Sequence, residues 1–283
     1  MVAPLLLVDA PHFLFRAFFA LPASIKGTAG RPVNALLGSV NAILGAAGAH
    51  GARAVVCCFG PDAAPYRVEL FDGYHAHREA PPDELAWQWD HAPGLYGALG
   101  WSVDADPSVE ADDLLGSYAA AEADAGGRAL IFTGDRDMFQ CVGEAVTVLF
   151  PRGGKDGPEE IGPDEVRRRY GVDPAQVPDF IALRGDPSDG IPGAKGVGPK
   201  TAADILRRHG SLEAALEAAA EGTSLATQRE RLLAFKEIAT LRRLEVEPPP
   251  NRETDRAGGA AEARELGMNR LARRLEEGRP EPR

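Results

Sequence analysis

Residues 108–140 read SVEADDLLGSYAAAEADAGGRALIFTGDRDMFQ, and they hold five carboxylates at two turns of the chain. Glu110, Asp112 and Asp113 open a helix, and Asp135 and Asp137 follow the apolar strand run Ala129–Phe132. A parallel sheet can bring such helix starts and strand ends to one edge. Carboxylates gathered there repel one another unless cations sit between them, so the pattern predicts a divalent-metal site. Each half alone has a plainer explanation. Acids in a first helical turn complement the helix dipole, and an aspartate in a turn often bonds its own backbone. The two motifs together, one helix and one strand apart, favour the metal.

Working outward, apolar strand runs alternate with amphipathic helical runs, the pattern of an α/β fold with a mostly parallel sheet. Leu5–Val8 reads as the first strand and ends in Asp9, residues 32–49 as a helix, and Ala54–Phe59 as the second strand. Residues 83–99 and 111–125 read as helices, 101–103 as a short strand, and 129–132 and 146–149 as the remaining strands. Ligands bind at the carboxyl ends of strands in such sheets, where Asp9, Asp135 and Asp137 fall.

The chain has 283 residues, 44% of them hydrophobic, enough for one large domain or a large and a small one. No run of 18 apolar residues and no leader pattern is present, so the sequence reads as soluble and cytoplasmic, without a membrane partner. Cys57, Cys58 and Cys141 lack metal-ligand spacing and read as reduced core thiols. A net charge of −11 argues against a phosphate-backbone partner, but bound divalent ions would offset part of it. The basic residues are also local: Arg167, Arg168, Arg169, Lys195, Lys200, Arg207 and Arg208 cluster in the second half. Taken singly, each arginine is most simply part of a solvated helix face.

After Pro151 the texture changes to short helices broken by Gly and Pro, with GDPSDGIPGAKGVGPKTA over 185–202. Gly196 and Gly198 permit a tight turn, and Lys200 and Thr201 begin a helix whose first N–H groups point outward at an anion. This arrangement holds one phosphate without reading bases, although an ordinary Gly-rich turn gives the same letters. Lys195 and Lys200 beside the turn, and Asp186 and Asp189 before it, favour the phosphate.

These motifs in this order, LLLVDAPHFLFRAF, YRVELFDGYHAHR, VEADDLLGSYA, LIFTGDRDMFQ and LRGDPSDGIPGAKGVGPKTAADIL, resemble the bacterial 5′–3′ exonuclease and flap endonuclease family. That family also forms the amino-terminal domain of many repair-type DNA polymerases. The resemblance covers roughly residues 4–250 and implies a PIN-like 5′ nuclease fold with a helix-hairpin-helix (H3TH) subdomain. The implied divisions are 1–160 for the nuclease domain, with a helical arch near 70–95, and 161–250 for the hairpin subdomain. Residues 251–263 read as a flexible linker, and the tail to 283 as a closing helix.

The resemblance further implies two divalent cations, Mg²⁺ or Mn²⁺, with Asp9, Glu110 and Asp112 matching the ligands of one. Asp135, Asp137 and Asp189 match those of the other, with Asp186 and Asp113 nearby. Two ions roughly 3.5–4 Å apart activate a water and stabilise a leaving oxygen in an in-line displacement at phosphorus. Arg67, Tyr74 and Arg78 match the base of the arch, where His75 is also placed against DNA, with Arg78 also counted among the catalytic groups. Lys195, Gly196, Gly198, Lys200 and Thr201 match the duplex grip, with K⁺ at the hairpin. The expected partner is DNA with 5′ ends or flaps, with a polymerase acting in trans and the nuclease a monomer.

Two positions depart from the family. Its F-D-x-K is here Phe59-Gly60-Pro61-Asp62, so a first-ion carboxylate is missing and Asp62 is the candidate replacement. Its Y-K-x-x-R is Tyr74-His75-Ala76-His77-Arg78, so a fixed positive charge gives way to a residue type that titrates near neutrality. Gly60→Asp is therefore expected to raise cleavage in Mg²⁺ if the missing ligand limits the rate. The reading is a structure-specific 5′ nuclease of DNA replication and repair. The alternative is a weakened or inactive homologue that binds DNA structures, and an RNA nuclease and a phosphatase are weaker rivals.

Overall fold

The computed structural model describes residues 2–152 and 157–278. Residues 153–156 of the expected 1–160 domain, and 279–283 of the expected 251–283 tail, lie outside the described residues. Six strands form one sheet: β1 (Leu5–Asp9), β2 (Ala54–Phe59), β3 (Ser102–Ala105), β4 (Ala129–Phe132), β5 (Val146–Phe150) and β6 (Glu159–Ile161). Their order is β3-β2-β1-β4-β5-β6, and every pair is parallel except β5 with β6. The short, polar β6 has no periodic signal and was not expected from the sequence.

β1 shows why its apolar run has no polar alternation. Leu5 and Leu7 face one hydrophobic cluster while Leu6 and Val8 face a second. Both faces of a parallel sheet are covered, so both sets must be apolar. One cover is formed by α1 (Ala10–Ala20), α2 (Asn34–His50) and α4 (Asp83–Ala98), with the short α3 (Pro65–Leu70) between them in sequence. α5 (Ala111–Asp124) covers the other face.

The second half contributes α6 (Pro163–Tyr170), α7 (Val177–Arg184), α8 (Pro199–His209), α9 (Leu212–Glu217), α10 (Ser224–Thr227) and α11 (Arg229–Ala239). Val177, Phe180, Leu206 and Phe235 share one cluster with Leu5 and Val56, so the hairpin subdomain packs onto the nuclease sheet through a common core.

Two expectations are corrected. The arch expected near 70–95 does not stand free over that span, because α4 is docked. Its buried Gln88 accepts hydrogen bonds from Ala35 N (2.7 Å) and Leu36 N, two of the amides that the start of α2 leaves unpaired. Only residues 71–82 loop over the site. The expected linker 251–263 is also not a linker, since α12 (Arg256–Glu265) forms within it and is followed by α13 (Asn269–Glu276). Gly259 and Ala260 are buried there, and an added Cβ at Gly259 would lie 2.2 Å from Leu99 Cδ2. The Gly-Gly-Ala-Ala letters that suggest flexibility are what let α12 approach α4 closely.

An extended stretch before α12 is tied down by Arg53. Its Nη1 donates to Pro249 O (2.6 Å), its main-chain O accepts from Arg252 N (2.8 Å), and its guanidinium pairs with the buried Glu122 of α5. Arg53→Met leaves Glu122 buried without its cation, a loss of about 3–5 kcal/mol. We expect the thermal unfolding midpoint to fall by about 10 °C. An unchanged midpoint in differential scanning calorimetry would show that this tie is dispensable.

Candidate active site

The carboxyl edge of the sheet opens into a pocket lined by Glu110, Asp112, Asp135, Asp137 and Asp189, with Arg67, Tyr74, His75 and Arg78 around them. Ile238, Ala239 and Leu241, at and just past the end of α11, complete the wall, so both halves of the chain build it. Three backbone devices place the acids. Asp9 ends β1 and caps α1, accepting from His12 N (3.0 Å) through Oδ1, while Oδ2 accepts from the buried Thr133 hydroxyl (2.6 Å). Glu110 is the N-cap of α5, in a reciprocal capping box with Asp113. Asp135 accepts from Asp137 N (2.8 Å) in the turn after β4.

Arg67 is the centre of the fixed part of the site. It is 3% exposed, and its guanidinium donates to Ile238 O (3.0 Å), Glu110 Oε2 (2.7 Å) and Asp113 Oδ1 (2.9 Å). Asp113, fully buried, also accepts from Arg242 N (2.7 Å) and from Glu110 N (3.1 Å). Two assignments change accordingly. Asp113 does not line the pocket; its acceptors are engaged in holding Arg67 and the start of α5. Arg67 has its donors turned to protein groups and not toward an incoming DNA strand.

Glu110 is likewise occupied, accepting from Ala64 N (2.7 Å) and Tyr74 OH (3.0 Å) as well as Arg67. Asp186 sits outside the pocket lining, accepting from Arg184 Nη2 (2.8 Å) and Ser188 N (2.9 Å). The carboxylates of Asp112 and Asp137 are different: neither receives a hydrogen bond among the described residues. Burial pushes Asp112 up, reinforced by Asp135, Asp9 and Glu110. Burial also raises Asp137, with Asp135 and Asp189 adding to it, and raises Asp135 to about 7.

Acids held this way destabilise the protein, because a carboxylate whose folded pKa lies above its unfolded value loses stability as pH rises between the two. An all-oxygen donor set with net negative charge suits a hard divalent cation. Among the described residues no three His, Cys, Asp or Glu side chains are already placed to hold a metal ion together.

The mouth of the pocket is formed by residues 71–78. His75 has φ 52°, stacks on Tyr74 with ring centroids 3.9 Å apart, and places Nε2 3.1 Å from Asp189 Oδ1. Arg78 bridges Asp62 Oδ1 (2.8 Å) and Asp189 Oδ1 (3.1 Å). Gly73 and Gly190 bring the two loops together, since a Cβ at Gly190 would stand 2.5 Å from Gly73 O.

The surroundings of Gly60 weigh against the expectation attached to it. A Cβ there would lie 2.6 Å from Ala111 N and 2.7 Å from Val109 O, both backbone atoms at the start of α5. No side chain fits without moving the turn that carries Glu110 and Asp112. Asp62, the candidate replacement, is not among the residues that line the pocket; its side chain is 64% exposed and paired with Arg78.

At the hairpin, Gly196 has φ 80°, Gly198 caps α8 without a side-chain bond, and Lys195, Lys200 and Thr201 are exposed. The first-turn amides of α8 are thus left to an outside acceptor. Sequence reasoning missed Thr133, the pairing of Asp62 with Arg78 and the role of Arg67. The hydroxyl two residues before Asp135 was the available signal for Thr133; the others depend on tertiary contacts.

An acid-lined pocket at the carboxyl edge of a mostly parallel sheet is an arrangement suited to metal-assisted hydrolysis of phosphate esters. Residues 4–171 match the family model described as 5′-3′ exonuclease, N-terminal resolvase-like domain, and 172–252 match the 5′-3′ exonuclease, C-terminal SAM fold. A 5′-3′ exonuclease of Mycobacterium tuberculosis is 38% identical over 239 residues, covering 77% of this chain and 74% of that one. One from Streptomyces coelicolor is 38% identical over 244 residues, 80% of each. DNA polymerase I of M. tuberculosis is 40% identical over 214 residues, which span 75% of this chain but 24% of the polymerase. The T5 D15 protein co-crystallised with metal ions shares the fold at TM-score 0.71 and 16% identity, over 97% of this chain and 98% of that one. The catalytic core of Rad2 in complex with DNA substrate gives TM-score 0.62 at 15% identity, over 100% and 93%. The chain belongs to the 5′-3′ exonuclease family.

If Asp137 is kept for a cation and not for packing, Asp137→Asn relieves repulsion and raises the unfolding midpoint in chelator. The same change should lower cleavage by at least about 100-fold, the scale of a lost electrostatic stabiliser, and remove the stabilisation that Mg²⁺ or Mn²⁺ gives the wild type. A variant that loses stability in chelator would mark the residue as structural.

Proposed function

We propose that this protein is a divalent-metal-dependent nuclease that hydrolyses DNA phosphodiester bonds at 5′ ends and flaps during replication and repair. The observation that carries the reading is the pair of half-buried carboxylates, Asp112 and Asp137, that line the pocket with no donor of their own. Stability alone gives no reason to keep them. Metal ions and a DNA substrate recorded with the fold relatives support the same reading.

Asp112, Asp135, Asp137 and Asp189 would hold Mg²⁺ or Mn²⁺, which when bound activates a water and offsets charge at phosphorus. The protein's own residues do the rest. Arg67 fixes Glu110 and the start of α5 so that Asp112 keeps its place. Arg78 and His75 face the phosphate at the mouth, and Tyr74 holds Glu110 and stacks beneath His75. The α8 amides, with Lys195, Lys200 and Thr201, would grip a backbone phosphate of the duplex, with K⁺ at the turn, a contact that positions without reading sequence.

In the two-ion form of the mechanism the first-ion side is the poorer one. Asp9 and Glu110 have both oxygens engaged, and Gly60 offers none. This asymmetry is the specific observation behind a second reading, a homologue that binds DNA structures but cuts slowly or not at all. We further propose that the nuclease acts as a monomer in the cytoplasm, with a DNA polymerase in trans. No helix among the described residues is long and apolar enough to cross a membrane.

Cleavage of a 5′-flap duplex in Mg²⁺ and in Mn²⁺, compared with single-stranded RNA and a phosphate monoester, tests the reading. We expect flap cutting alone, reduced at least about 100-fold in Asp135→Asn. Binding without cleavage in either ion would favour the second reading. Gly60→Asp should lower both stability and cleavage because its Cβ meets the α5 backbone; a gain in Mg²⁺ would show that the start of α5 yields.

A further inference from the structure

Asp62 stands at the mouth of the pocket with no structural need to be there. It lies in the turn after β2, its side chain is 64% exposed, and water alone would satisfy its carboxylate. Nevertheless its Oδ1 accepts from Arg78 Nη1 at 2.8 Å, and its Oδ2 lies 3.8 Å from His75 Nδ1. Arg78 has a second, more buried anchor: its Nη2 donates to Asp189 Oδ1 at 3.1 Å and reaches Ser188 O at 3.4 Å. The guanidinium is therefore held in place by Asp189, and Asp62 covers its outward edge.

A carboxylate on one edge of a guanidinium presents the oxygen geometry that a phosphate presents. We propose that Asp62 is an internal stand-in for the substrate phosphate, which a DNA strand must displace from Arg78 before it engages the site. This rests on the reading that Arg78 faces DNA phosphate. Asp62 is then a specificity-determining residue. It disfavours contacts that offer Arg78 only a weak or badly placed anion, and it yields to a backbone phosphate that neighbouring contacts have already positioned. Gly60 and Pro61 lead into this turn, and Ala64 N is fixed to Glu110 Oε1 at 2.7 Å, so the placement of Asp62 is set by the same contacts that set the pocket.

The test is the affinity of the full chain for a fluorescent 5′-flap duplex, measured by anisotropy in Ca²⁺ as the carboxylate-site cation, for wild type, Asp62→Asn, Arg78→Gln and the double variant. Asparagine keeps the size of the side chain and the main-chain oxygen that faces His75 Nδ1. Asp62→Asn should bind about threefold to fivefold more tightly, the scale of a half-exposed ion pair. The gain should vanish in the Arg78→Gln background, because Asp62 acts through that guanidinium.

A gain of equal size in both backgrounds would mean general charge repulsion and would overturn the proposal. So would weaker binding by Asp62→Asn, which would make the carboxylate a support for Arg78. Wild type that binds the flap but is matched by Asp62→Asn overturns this proposal alone. Wild type that binds no DNA overturns the nuclease reading and this one with it.

Discussion

The guanidinium of Arg67 joins three parts of the chain that have no other reason to meet in one geometry. It belongs to α3, it pairs with Glu110 and Asp113 at the start of α5, and it donates to Ile238 O in α11. Removing it would leave two acids buried without a cation, which is far costlier than never having buried them. The α5 capping box, the position of Asp112, and the wall that α11 lends to the pocket all depend on it. Arg242 N, on the segment after α11, completes the set through Asp113. The two halves of the protein are thus locked together at the same atoms that define the site.

Around that neutralised centre sits a second group of acids that is not neutralised. Asp112, Asp135 and Asp137 are raised chiefly by burial and then by neighbouring carboxylates, Asp135 and Asp189 foremost. The contrast with Glu110 and Asp113, which have donors on every side, sorts the acids of one short motif into two roles. Stability is served by the paired acids and reduced by the unpaired ones, the usual relation between a functional site and the fold that carries it.

Much of this was legible in the letters because the local rules and the global fold agree. Apolar runs such as Leu5–Val8 and Ala129–Phe132 read directly as buried parallel strands, and the acids after them fell on one edge. The glycine hairpin likewise announces itself through Gly196 and Gly198. What was illegible depends on contacts between distant segments. Glu110, Asp112 and Asp113 look alike in sequence, and only the approach of Arg67 and Arg242 separates the structural acid from the open one. The 251–263 segment reads as a linker by composition, yet its small residues are selected by close packing of α12 on Leu99. β6 carries no periodic signal because it is a three-residue edge strand, and the hold of Gln88 on the start of α2 is likewise invisible in the letters, although α4 also buries Leu85, Ala92, Leu95 and Tyr96.

The departures at Gly60, Asp62 and His75 are better understood as one change than as three. Gly60 carries no carboxylate, and the backbone of 109–111 occupies the space that a side chain would need. Two residues on, a negative charge stands where the family pattern has a lysine, and it meets Arg78. His75, in place of the other lysine, fits between Asp62 and Asp189, with Nε2 against one and Nδ1 toward the other. One carboxylate fewer inside, and one more at the mouth with an arginine already bound to it, moves negative charge outward by a few residues without changing its amount. The number of carboxylates is unchanged while two fixed positive charges of the family pattern are gone, and position decides whether an arriving phosphate meets an open guanidinium or one that is already occupied.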